Sequence, residues 1–100
     1  YNALRLAGSL ARRPDEEVQI FLMGAAANCA KANQKVPPGY YNVELMLQGP
    51  ATRHGVEVGV CGTCMDARGI ADGELAEGTK RGTLSQLTDW TAWADKALVF

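Results

Sequence analysis

Apolar positions recur along the chain with two different spacings, and the change between them marks out the elements. From Tyr1 to Arg13, Leu4, Ala7, Leu10 and Ala11 stand three and four residues apart, the pattern of one face of a helix. Pro14-Asp15 stops it, since proline cannot continue the hydrogen-bond ladder and biases its predecessor away from helix. Glu17 to Met23 then carries Val18, Ile20, Phe21 and Leu22, a nearly continuous apolar run like that of a parallel strand buried on both faces.

Past Gly24, the Ala-rich stretch Ala25 to Lys35 predicts a second helix. Val36 to Tyr40, with two prolines and a glycine, reads as a loop. Asn42 suits a helix cap ahead of Val43, Leu45, Met46 and Leu47. A kink or break is expected at Gly49-Pro50, because an interior proline costs about 3 kcal/mol. Gly55 stops that piece, Val56 to Val60 is a second apolar strand, and Cys61 follows it directly. Gly62 to Arg68 is a short segment rich in small residues, closed by Gly69, and Ala71 to Lys80 reads as a loop with one turn of helix. Thr83 and Gln86 have the spacing of a capping box. The helix they open would turn Leu84, Leu87, Trp90, Thr91 and Ala94 inward, and Lys96 to Phe100 (KALVF) predicts a closing strand.

Strands separated by helical crossovers must pair in parallel. The order therefore predicts an α/β fold, a three-layer α/β/α sandwich around a parallel sheet, in one domain spanning 1–100. An opening helix with nothing ahead of it fits such a fold with its first strand missing. Composition agrees with a globular domain: 47% of residues are hydrophobic and 21% charged. A net charge of −1 lacks the basic excess of a nucleic-acid or anionic-membrane surface. The longest apolar run, Ile20 to Ala27, falls far short of the about 20 residues of a membrane span.

Candidate chemistry centres on Val58 to Ile70, VGVCGTCMDARGI. In open parallel sheets, reactive groups gather at the carboxyl ends of strands, and Cys61 falls there. Backbone N–H groups of the segment after it would favour a thiolate, as would the Arg68 guanidinium if it folds back. A thiolate attacks and carries sulfur. Set against that, cysteine is among the most buried residue types, and a strand-end pair can be core filler. A third reading is a redox dithiol formed by Cys61 and Cys64. A structural zinc site wants four ligands, and the chain adds only Cys29 and His54 to the pair. His54, beside Gly55, reads as a helix-end cap, Cys29 as a small buried residue, and Trp90 and Trp93 as core or subunit contact.

Several blocks together resemble the DsrE/DsrF-like family in its YchN-like branch: NALRLA, EVQIFLM, PGYYNVELML, VCGTCMDARGI and GTLSQLTDWTAWADKALVF. The resemblance covers almost the whole chain. It implies three layers around a parallel five-stranded sheet, a further strand before the opening helix, and cytoplasmic homo-oligomers, hexamers or trimers. Relay-type relatives accept sulfur as a persulfide on a strand-end cysteine and pass it from donor to acceptor proteins, with no cofactor. Cys61 matches that cysteine, Arg68 and Gly69 match an Arg-Gly pair downstream, and Cys64 matches the second cysteine of the branch. Gly49-Pro50 departs from the family pattern, which expects an unbroken helix.

Overall fold

A computed structural model describes all residues from Tyr1 to Phe100. Its four α-helices are α1 (Asn2–Ala11), α2 (Val43–Arg53), α3 (Gly62–Ala67) and α4 (Leu84–Trp93), and its three strands are β1 (Gln19–Leu22), β2 (Glu57–Cys61) and β3 (Thr79–Gly82). The strands pair in the order β1-β2-β3, all parallel, with Ile20 opposite Val58, Phe21 opposite Gly59, and Cys61 opposite Gly82.

The register sorts side chains onto two faces, because neighbouring residues of a strand point to opposite sides. Val58, Val60 and Leu22 are buried on one face with Leu4 of α1 and Leu47 of α2. On the other, Phe21 meets Trp90 of α4 edge-on, with ring centroids 6.0 Å apart. A Cβ on Gly59 would lie 2.9 Å from the Phe21 ring and 3.0 Å from Gln86 Oε1, so glycine is what admits α4 to this face. The result is the α/β fold with a parallel sheet that the sequence pattern predicts.

The predicted caps form. Asn42 Oδ1 accepts the Leu45 N–H at 3.2 Å, and Thr83 Oγ1 accepts the Gln86 N–H at 3.2 Å. Gly55 and Gly69 end their segments with φ of 66° each, a conformation glycine adopts without steric penalty.

Four expectations are corrected. First, Thr79–Gly82 is a strand, not loop. Its sequence, TKRG, has no apolar run because Lys80 and Arg81 are exposed on the free edge of the sheet, so the hydrophobic signal is lost. Second, KALVF pairs with nothing: Leu98, Val99 and Phe100 are 64%, 97% and 77% exposed. Three strands form, where the resemblance implies five. Third, α2 runs unbroken through Pro50. The proline is buried, its ring faces Gly8 of α1, and its carbonyl accepts the N–H groups of His54 and Val56 at 3.0 and 3.2 Å. Packing on one side and a satisfied carbonyl offset the hydrogen bond that the ring removes. Fourth, the predicted helix over 25–35 is a 3₁₀ segment, Gly24–Ala30. It gives way to an extended Lys31, whose neighbours pair with the loop after α3: Ala32 N–H donates to Glu74 O and Ala76 N–H to Ala30 O, both at 2.7 Å.

Candidate functional site

Both cysteines of the C-x-x-C lie where β2 gives way to α3, at the carboxyl end of the central strand. Cys61 is the last residue of β2 and the N-cap of α3, so its side chain stands beside the first free amides of that helix. Its sulfur accepts the Cys64 N–H at 3.4 Å and lies 3.3 Å from Thr63 Oγ1. The Cys64 thiol sits against the Cys61 sulfur, and this hydrogen bond, then that of Thr63, lowers the Cys61 pKa from its ordinary value against a small opposing effect of burial. Cys61 is half-buried, at the rim of the sheet rather than within the core. Because α3 has only six residues, the thiolate is stabilised by individual nearby donors more than by a long helix dipole.

Cys64 is held from a different direction. Its sulfur accepts the Gly24 N–H at 3.1 Å. Gly24 follows β1 and has φ of 57°, which turns its amide toward the neighbouring strand end. Met65, the next residue, is fully enclosed in the core and docks α3 beneath the two sulfurs. The site is thus pinned from below by one apolar side chain and from the side by one backbone amide.

Arg68 folds back, but its Nη1 donates to the Cys64 carbonyl at 3.1 Å, and the guanidinium is not among the groups that shift the Cys61 thiol. The cation built into the local architecture is Arg81, which the sequence pattern assigns to no element, one residue past the Ala71 to Lys80 loop. Arg81 Nη1 donates to Gly62 O at 3.1 Å, Nη2 meets Asp66 Oδ1 at 3.0 Å, and Nε meets Asp72 Oδ1 at 2.7 Å. Its hydrogen bonds to the Asp66 and Asp72 carboxylates raise its pKa further above the ordinary arginine value. Arg81 therefore ties β3 to the first turn of α3 and to the loop after it. A Cβ on Gly62 would sit 2.8 Å from Arg81 Nη1, so that glycine makes room for the clamp. The only hint in the sequence is a lone arginine flanked by small and polar residues, which carries no signal until β3 is known to exist.

Cys29 is half-buried in the 3₁₀ segment against the core, consistent with packing. His54 follows α2 as its C-cap, at the opposite end of β2 from Cys61. No three His, Cys, Asp or Glu side chains converge in a way that could hold a metal ion. No helix is long and apolar enough to cross a membrane.

A parallel sheet layered with helices, carrying a cysteine at the carboxyl end of its central strand, makes this a small α/β domain with a thiol at its sheet rim. The chain belongs to the DsrE/DsrF-like family, which it matches over residues 1–100 and which is associated with sulfur relay. It is 40% identical to protein YchN of Escherichia coli K12 over 101 residues, covering 100% of this chain and 85% of that protein. The crystal structure of E. coli YchN superposes with a TM-score of 0.89, covering 99% of this chain and 84% of that one. An uncharacterised protein of Methanopyrus kandleri is 33% identical over 100 residues, covering 100% of this chain and 80% of its own length.

Proposed function

We propose that the protein is a sulfur carrier in which Cys61 holds a sulfane sulfur as a persulfide and yields it to a partner thiol. One observation carries this reading: Cys61 is half-buried at a strand end, where its sulfur accepts the Cys64 N–H and lies within hydrogen-bond reach of the Thr63 hydroxyl. Donors aimed at a sulfur favour its anionic form, and only the thiolate attacks a persulfide donor. The step is attack of the Cys61 thiolate on the outer sulfur of the donor, with the donor thiolate leaving. Transfer onward repeats the exchange, the acceptor thiolate attacking the outer sulfur on Cys61. No cofactor enters either step.

Arg68 acts in this reading as a positioning residue, holding the Cys64 carbonyl and with it the turn that carries both cysteines. The donor is a protein persulfide and the acceptor a protein thiol, both reaching the rim from solvent. Thiol chemistry of this kind requires reducing surroundings, which fits a cytoplasmic setting. Assembly into homo-oligomers is supported by the large apolar side chains left exposed, among them Leu84, Trp93 and Phe100. Light scattering on the purified protein tests it, and a monomer at micromolar concentration refutes it.

The carrier reading is tested by intact-protein mass spectrometry after exposure to a cysteine persulfide. Cys64→Ser is expected to gain the mass of one sulfur, and Cys61→Ser to gain none. Equal gain in both would refute it. Inert, buried cysteines, the bland alternative, would require denaturant before Cys61 could be alkylated.

A further inference from the structure

We propose that Cys64 limits the lifetime of the sulfur on Cys61 by displacing it as hydrosulfide when no acceptor takes it; this rests on the carrier reading above. The pair stands at the N-cap and third position of one helix, neighbours on one face, close enough for a strained disulfide to join them. Their thiols already touch, and each sulfur is held separately. Cys61 is held by the Cys64 amide and Thr63, and Cys64 by the Gly24 amide from the turn after the neighbouring strand. A cysteine serving only as filler beside the carrier would need no such anchor. The Gly24 N–H fixes the Cys64 sulfur against the inner sulfur of a Cys61 persulfide, while the outer sulfur is free to point to solvent.

The step balances without an outside oxidant. The Cys64 sulfur forms a bond to Cys61 Sγ, the Sγ–S bond of the persulfide breaks, and its electron pair leaves with the outer sulfur. That sulfur takes the Cys64 proton and departs as HS⁻. The sulfane sulfur is reduced by two electrons, and the two cysteines are oxidised to a disulfide. A dithiol reductant then returns the pair to its starting state. The short loop favours this return, since closing a four-residue ring strains the disulfide and makes it readily reducible. Acceptor and Cys64 thus compete for one persulfide, the acceptor at its outer sulfur and Cys64 at its inner one.

The test is a time course on the full chain loaded with inorganic polysulfide, desalted, and kept without reductant. Released sulfide is trapped with monobromobimane and the protein is read by intact mass after alkylation. Wild type is expected to release close to one sulfide per loaded chain. It should end two hydrogens lighter than the reduced protein, with Cys29 as the remaining alkylatable thiol. Cys64→Ser and Cys64→Ala, both checked by circular dichroism, should retain the added sulfur on Cys61 at least about tenfold longer. Wild type that retains its sulfur as long as both variants overturns the inference while the carrier reading stands. If the Cys64 variants take up no sulfur on Cys61, both fall together.

Discussion

Replacing Met65 with alanine tests whether the core positions the chemistry. Met65 is 0% exposed, and the only other buried residue of α3 is Gly62, so this one side chain supplies almost all the apolar anchoring of that helix. Truncating a buried methionine removes its transfer free energy and leaves a cavity, together about 2–5 kcal/mol. A six-residue helix flanked by loops can settle partway into the space, which places the expected loss near the lower end, about 2–3 kcal/mol. In a domain of this size that lowers Tm by roughly 10–20 °C. Urea unfolding followed by tryptophan fluorescence reads it directly, because Trp90 rests against Phe21 in the native state. Met65→Leu, which keeps most of the volume, is expected to lose less than about 1.5 kcal/mol. Alkylation of Cys64 in the native protein should also quicken in Met65→Ala, since the helix that presents it to the Gly24 amide has lost its anchor. A Met65→Ala protein within about 0.5 kcal/mol of wild type would refute the reasoning, because that is the range of surface substitutions.

Because folding lowers the Cys61 pKa below its ordinary 9.0, the thiolate adds stability that is fully present above that value and lost as pH falls through the folded pKa. Cys61→Ser should lack this rise, and urea titrations at stepped pH compare the two proteins. Thr63→Val removes a hydrogen-bonding hydroxyl from the Cys61 sulfur, so iodoacetamide labelling at neutral pH should slow, roughly twofold, with its pH profile shifted upward; an unchanged profile would remove Thr63 from the site. Glu44 is 8% exposed, and its carboxylate accepts the N–H groups of Asn33 and Gln34 at 3.0 and 2.8 Å. Glu44→Ala leaves both amides unpaired and should cost about 2–4 kcal/mol, with Glu44→Gln costing clearly less because one acceptor oxygen remains; denaturant midpoints decide it.

The parts legible in the sequence are those whose physics is local. Asn42 and Thr83 cap through their own side chains, Gly55 and Gly69 end segments through their own φ, and Ile20 and Val58 announce strands by their own burial. Cys61 was legible for the same reason, as a cysteine directly after an apolar run. What the pattern hid depends on partners distant in the chain. β3 is a strand because Val58 to Cys61 offer it a paired edge, not because TKRG is apolar. KALVF has the apolar composition of a strand but finds no edge to join. Pro50 is tolerated because its ring packs against another helix at Gly8 and its carbonyl is satisfied by His54 and Val56. Arg68 is visible as a basic residue near the cysteines, but its geometry sends it to a carbonyl, and the clamp falls to Arg81 from the adjacent edge strand.

The two sulfurs also differ in how portable their environments are. The hydrogen-bond partners of the Cys61 sulfur come from the next three residues, so a peptide loop grafted onto a foreign scaffold would bring them with it. The amide that steadies Cys64 comes from forty positions upstream, at the turn after β1, and no transplanted loop would include it. A transplant would therefore yield a reactive thiol whose neighbour wanders, and only the completed sheet makes the two act as a pair.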